Sequence, residues 1–262
     1  MDYGVLKNKK CFVLDMDGTF YLGDRLLSGS LDFIRHIEMA GKDFIFFTNN
    51  TSRNVRFYVE KLKKMGCVVT REKIISSGMV TLDYIKKVYG SPRVFLVGTP
   101  MLEDDFRESG INLVRQDPDI VTVGFDITLT YEKLSLACSF IRSGKPFIAT
   151  HPDLNCPTEN GFIPDCGAIC AFITASTGIK PKYLGKPYTE TLEFILKYTG
   201  CSRDELAFVG DRLYTDIAIG ANHGVTSILV LTGETGYRDL ENSQVKPDFI
   251  FNRLADLIEY LV

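Results

Sequence analysis

The residues with the clearest chemical potential are Asp15 and Asp17, which flank Met16 directly after the apolar run Cys11-Phe12-Val13-Leu14 and before Gly18-Thr19. A short β-forming run followed by carboxylates and Gly-Thr predicts a buried strand that opens into a loop. Strand alternation puts both carboxylates on one side and Met16 on the other. Two like charges held that close resist joint ionisation unless a cation sits with them. A Mg²⁺ ion meets that need, because it binds through one or two carboxylates, water and phosphate oxygens.

Three further polar clusters follow apolar runs or a turn: Thr48-Asn49-Asn50, Gly185-Lys186-Pro187, and Gly210-Asp211 with Asp216. Each alone has an ordinary structural explanation: an Asx turn, a solvated lysine, a βα loop, a carboxylate at a helix N-terminus. In an open parallel sheet, however, ligands bind outside the carboxyl ends of the strands, so the four clusters are expected to converge. Their residue types match one reaction. A carboxylate nucleophile attacks phosphorus to give an aspartyl-phosphate. A second carboxylic acid protonates the leaving alkoxide and later deprotonates water. Thr48 and Lys186 would supply donors to the phosphoryl oxygens, with Asn49 beside them as a further substrate contact, while Mg²⁺ neutralises the gathering charge. Asp211 would complete the metal site. Asp216 would hold the metal, directly or through water, or else orient Lys186.

The elements that must position these groups alternate between strand and helix, the pattern of an α/β protein. Strands are expected near Phe44–Phe47, Val94–Val97, Ile120–Phe125, Pro146–Thr150, Leu206–Val209 and Ser227–Leu231. Helices are expected near Ser30–Ala40, Asn54–Met65, Val80–Val88, Leu102–Glu108, Tyr131–Arg142, Ala168–Ala175, Thr189–Tyr198, Thr215–Asn222 and Leu254–Leu261. His151 to Cys166, with three prolines, is expected to be a long polar loop. The organisation predicted is a core of residues 1–77 and 181–262, interrupted by a smaller α/β unit over 78–180.

Composition narrows the functional classes. The 262 residues are 45% hydrophobic and 24% charged, which suits real cores and an ordinary polar surface. A net charge of −3 gives no electrostatic footprint for nucleic acid or an anionic membrane. No apolar run reaches the ~20 residues of a membrane span, and the first residues lack a signal-peptide core. Seven cysteines without a C-x-x-C pair favour a reduced, cytoplasmic setting over disulfides or zinc.

Taken together, Asp15-Met16-Asp17-Gly18-Thr19, Thr48-Asn49-Asn50, Gly185-Lys186-Pro187 and Gly210-Asp211 through Asp216 resemble the four motifs of the haloacid dehalogenase (HAD) superfamily. The second aspartate of Asp15-x-Asp17 resembles its phosphatase branch. The resemblance implies a Rossmann-like parallel-sheet core with Asp15 as nucleophile and Asp17 as acid/base. It also implies Mg²⁺ held by the Asp15 carboxylate, the Asp17 backbone carbonyl and Asp211. An insertion between Thr48 and Lys186 is similar to the C2-type cap of the NagD-like, 4-nitrophenylphosphatase-like subfamily. Phe46-Phe47-Thr48-Asn49-Asn50, Ala149-Thr150-His151-Pro152-Asp153, Pro164-Asp165-Cys166-Gly167-Ala168 and Leu231-Thr232-Gly233 carry that likeness. His151 stands where that subfamily is expected to have Asn, and Thr99 where an acidic residue is common. The core motifs grip only a phosphoryl group, so leaving-group selection falls to the cap, with His151 and Asp153 in the His151–Gly167 segment as its candidate contacts. The implied activity is Mg²⁺-dependent hydrolysis of a small phosphorylated metabolite, of the nucleotide monophosphate or sugar phosphate class. The alternatives are a phosphoryl-transferring mutase on the same core and a non-catalytic phosphometabolite-binding protein. No nucleic-acid or membrane partner is expected, and a homo-oligomer stays open.

Overall fold

The computed structural model describes residues 3–158 and 161–261. The chain forms two compact units. One takes in the chain through Thr48, then Tyr58–Ile75, then the chain from Leu192 on; the other comprises Asn49–Phe57 and Ser76–Thr191.

The first unit is built on a six-stranded sheet in the order Phe249–Phe251, Thr226–Val230, Leu206–Gly210, Cys11–Leu14, Asp43–Thr48, Ile74–Ser76. Strand Cys11–Leu14 pairs parallel to both neighbours, with Leu14 opposite Val209 on one side and Phe46 on the other. All four of its residues are buried, as a parallel strand covered on both faces requires, which explains the unbroken apolar run. Helix Ser30–Met39 turns Phe33, Ile34 and Ile37 inward, and Phe33 meets Phe12 edge-on at a ring distance of 6.0 Å. Helix Val55–Lys64 buries Val55, Tyr58 and Leu62, an i, i+3, i+7 stripe.

The second unit carries a five-stranded parallel sheet in the order Lys182–Tyr183, Phe147–Ala149, Ile120–Val123, Arg93–Val97, Asn112–Leu113. Strand alternation divides its core. Val94 and Leu96 pack with Leu82 and Ile85 of helix Ser77–Tyr89 and Leu102 and Phe106 of helix Pro100–Glu108. Phe95 and Val97 face Ala137 and Ile141 of helix Tyr131–Arg142 and Ile169 and Ile173 of helix Cys166–Thr177. The helices start where side-chain oxygens accept orphan amides: Thr99 from Leu102, Thr130 from Lys133, and Asp165 from Cys166.

Several expectations needed revision. The polar stretch from His151 to Cys166 is not all loop: Asn155–Thr158 and Gly161–Pro164 form an antiparallel pair with Pro157 opposite Phe162. Proline argues against a central strand, but a two-stranded ribbon has only edges and tolerates it. The last helical segment, Leu254–Tyr260, is wound as a 3₁₀ helix. The helix expected from Thr215 begins as one wide turn, in which the amides of Asp216 and Ile217 both donate to the Arg212 carbonyl at 3.0 and 3.1 Å. Regular α-helix follows over Ala218–His223. Among the described residues, no helix is long and apolar enough to cross a membrane.

Candidate active site

In the first unit the chain leaves strand Cys11–Leu14 at the point where strand order reverses, with two later strands added on one side and three on the other. This is the crevice position of doubly wound sheets. The Asp15 amide donates to the Val209 carbonyl at 2.8 Å, which fixes the first residue of the loop. Met16 is fully buried while Asp15 and Asp17 are partly open, the division that strand alternation predicts. The loop then closes on itself. The amides of Phe20 and Tyr21 both donate to the Met16 carbonyl, and the Gly18 amide donates to Tyr21 at 2.8 Å.

Asp211 and Asp216, 1% and 2% exposed, complete the cluster. Asp15, Asp211 and Asp216 each offer an oxygen, all within 4.8 Å of one another. Asp211 accepts hydrogen bonds from the Thr19 hydroxyl at 3.2 Å and the Glu234 amide at 2.7 Å. Burial, and then the neighbouring Asp216 carboxylate, push its pKa up to about 6. Asp216 accepts from the Arg212 amide at 3.1 Å, a contact that the wide turn creates. Glycines make the room: a Cβ on Gly18 or Gly233 would lie 2.6 or 2.0 Å from an Asp211 oxygen, and one on Gly210 would lie 2.2 Å from the Asp216 Cβ. Three carboxylates around one point, with no nitrogen or sulfur donor in the cluster, fit a hard divalent cation that takes oxygen ligands.

Asp17 stands beside this cluster with its Oδ2 accepting from the Tyr21 hydroxyl at 3.2 Å. Burial raises its pKa above the ordinary carboxylate value, although Lys61 and the Tyr21 hydrogen bond pull the other way. A carboxyl so placed is suited to keep and hand over a proton. Thr48, 4% exposed, ends strand Asp43–Thr48 of the same sheet.

The second unit gathers Asn49, Lys186, His151 and Asp153. Asn49 clamps the Lys186 backbone from both sides: its Oδ1 accepts the Lys186 amide at 2.9 Å and its Nδ2 donates to the Lys186 carbonyl at 3.2 Å. The same Nδ2 also donates to Asp153 Oδ1 at 3.0 Å, so the Asn49 side chain holds the Lys186 turn. Gly185 belongs to that fit. Its φ is +72°, and a Cβ there would strike Asn49, Thr150 and His151 within 3 Å. His151 is completely buried, with Nδ1 3.8 Å from Asp153 and Nε2 3.5 Å from Asp165. Each ring nitrogen faces a different carboxylate. His151, Asp153 and Asp165 each offer a ligand atom, all within 4.8 Å of one another, so they form a second buried group that could hold a cation.

Sequence reasoning singled out Asp15, Asp17, Asp211 and Asp216, and the first unit brings them together. It missed Tyr21, the Glu234 amide and Asp165 as a partner of His151. Only Asp165 carried a signal, as the N-cap carboxylate before an apolar helix.

Comparison with known proteins agrees with this geometry. Residues 12–112 match the model of the haloacid dehalogenase-like hydrolases, and residues 183–257 match that of a HAD-hydrolase-like family. An acid sugar phosphatase of Staphylococcus aureus (strain MRSA252) is 34% identical over 98% of this chain and 99% of its own length. The chain belongs to the haloacid dehalogenase-like hydrolases and is a phosphatase of that family. Within it, the fold neighbours are of the NagD and 4-nitrophenylphosphatase type. The 4-nitrophenylphosphatase of Thermotoga maritima superposes with a TM-score of 0.96 at 47% identity, covering 98% of this chain and 99% of that one. NagD of E. coli K-12 follows with a TM-score of 0.88 at 29% identity, covering 95% and 98%.

Proposed function

We propose that this protein is a Mg²⁺-dependent phosphomonoesterase that hydrolyses a small phosphorylated metabolite through an aspartyl-phosphate on Asp15. The observation that carries the reading is the oxygen cluster of Asp15, Asp211 and Asp216 at the strand-order reversal, with the raised carboxyl of Asp17 beside it. Asp15, Asp211 and Asp216, together with the Asp17 backbone carbonyl, would hold the ion, which when bound supplies positive charge to the phosphoryl oxygens.

An Asp15 oxygen attacks phosphorus, and the bond from phosphorus to the leaving oxygen breaks. The electron pair departs with that oxygen, which takes the Asp17 proton. Asp17, now a carboxylate, draws a proton from water. The water oxygen attacks phosphorus, releases phosphate and restores the Asp15 carboxylate. Thr48 and Lys186 are assigned to the phosphoryl oxygens by their motifs, with the Asn49 clamp keeping the Lys186 turn in place.

For the substrate, the name of the acid sugar phosphatase supports a sugar phosphate over a nucleotide monophosphate. The α/β unit over 78–180 is proposed as the cap, with the segment containing His151 and Asp153 shaping leaving-group choice. All seven cysteines are free thiols, which supports a reduced, cytoplasmic setting.

The test is phosphate release from a panel of sugar phosphates, nucleotide monophosphates and 4-nitrophenyl phosphate. Each would be assayed with Mg²⁺, with EDTA, and with Mg²⁺ restored. Sugar phosphates are expected to lead the panel, EDTA to silence release, and Mg²⁺ to recover it. Release that persists in EDTA would refute the metal dependence, and a nucleotide-led ranking would refute the substrate class.

A further inference from the structure

Asp17 makes one contact that the chemistry itself does not demand. The Tyr21 hydroxyl donates to its Oδ2 at 3.2 Å. Tyr21 is wholly buried, as is its chain neighbour Phe20, whose ring meets that of Phe46 at 4.7 Å. A buried phenol in such surroundings is unfavourable unless its hydroxyl has a partner. Here the partner is the carboxyl assigned to proton transfer.

The tyrosine is also fixed from several directions. Its amide donates to Met16 at 3.1 Å and its carbonyl accepts the Gly18 amide at 2.8 Å, so its backbone brackets Asp17. It opens the short antiparallel pair Tyr21–Leu22 and Arg25–Leu26. Its ring lies under the Lys61 ammonium, 4.1 Å from nitrogen to ring centroid. Lys61 is only 18% exposed; its ion-pair partner Asp24, at 3.9 Å, is 91% exposed and well solvated, and the Lys61 charge also acts on the Asp17 carboxyl. A desolvated ammonium over an aromatic face is an attractive contact, and here it ties the ring to helix Val55–Lys64.

We propose that Tyr21, held by Lys61, is a positioning residue that occupies Asp17 Oδ2 and so presents Oδ1 to the leaving-group oxygen. The inference rests on the reading of Asp17 as acid/base. Proton transfer then runs through Oδ1 in both half-reactions, outward to the leaving oxygen and inward from water, while Tyr21 keeps its hydrogen throughout. A carboxyl without this tether rotates about its terminal torsion, which is broad, and loses aim. The device matters for leaving groups that must be protonated to depart, the alkoxides of sugar and other alkyl phosphates. It matters little for 4-nitrophenolate.

The experiment measures kcat and KM for a series of aryl and alkyl phosphates of rising leaving-group pKa, with Mg²⁺. Wild type, Tyr21→Phe, Lys61→Met, Asp17→Asn and the Tyr21→Phe/Asp17→Asn double variant are compared. Tyr21→Phe keeps the ring and is expected to lower kcat for alkyl phosphates on the order of tenfold. KM should hold, and turnover of 4-nitrophenyl phosphate should stay within about twofold. Lys61→Met should move the series in the same direction by less, and it carries the test alone if Tyr21→Phe does not fold. In the Asp17→Asn background, Tyr21→Phe should change nothing further. Equal losses for all leaving groups in Tyr21→Phe, or additive losses in the double variant, would overturn the positioning role while leaving Asp17 as acid/base. If Asp17→Asn itself lost equally on every leaving group, the acid/base reading would fall, and this inference with it.

Discussion

At the residue scale, identical carboxyl groups are suited to the different roles proposed for them because their surroundings differ. Asp15 sits at the mouth of the cluster, its backbone fixed by Val209. Asp211 is sealed among Gly18, Gly233 and Thr19, and its burial makes a lone negative charge there unfavourable. Asp17 accepts from the Tyr21 hydroxyl, and burial keeps it protonated to higher pH than an ordinary aspartate. Asp15→Asn keeps shape but replaces the proposed nucleophile with an amide. The expected result is loss of turnover by at least about a thousandfold, with thermal unfolding little changed. Mass spectrometry of wild type quenched in acid during turnover should show phosphate on a peptide containing Asp15, and none in the variant. Phosphate release by Asp15→Asn near the wild-type rate would rule out the covalent route.

At the element scale, the long-range feature the sequence showed best was the strand ends. Cys11–Leu14, Phe44–Phe47 and Leu206–Val209 are apolar over their whole length because parallel strands are covered on both faces, so their polar successors stand out. Short edge elements were not legible. Ile74–Ser76 and Phe249–Phe251 contribute three residues each, too few for a period to register. The wide turn over Leu213–Ile217 was hidden for a different reason: one extra residue per turn leaves no mark on composition, yet it carries Asp216 to the Arg212 amide. Contacts such as Tyr21 with Lys61 join segments forty residues apart and depend on packing alone. Gly233 offers a test at this scale. The three atoms nearest a Cβ there all belong to the Asp211 side chain, at 2.0 to 2.8 Å. Gly233→Ala should therefore displace that carboxylate and raise the Mg²⁺ concentration for half-maximal activity about tenfold or more. The stability loss should be modest, about 1–3 kcal/mol as for other overpacked sites. An unchanged Mg²⁺ requirement in a folded variant would show that Asp211 does not contribute to the metal site.

For the whole molecule, the cluster links stability to pH and metal. The sheet that carries it is assembled from distant chain segments: Cys11–Leu14 pairs with Asp43–Thr48 on one side and Leu206–Gly210 on the other, so Asp15 and Asp211 meet only in the folded state. In the unfolded chain Asp211 titrates near its ordinary value of 3.8, whereas burial and Asp216 raise it to about 6 in the folded protein. Between those values the folded state binds more protons than the unfolded state, so metal-free stability falls as pH rises. The contribution is complete below the unfolded pKa and is lost through the folded one, leaving a deficit on the order of a few kcal/mol at pH 7. A divalent cation held by the ionised cluster, as proposed, would offset that deficit, so Mg²⁺ should stabilise more at pH 7 than at pH 5. Thermal unfolding of the metal-free and Mg²⁺-loaded protein at both pH values measures the difference directly. Asp211→Asn should flatten the metal-free pH dependence between pH 4 and 7 and remove most of the Mg²⁺ response. Equal Mg²⁺ stabilisation at pH 5 and pH 7 in wild type would mean that the cation is not held by the buried cluster of Asp15, Asp211 and Asp216.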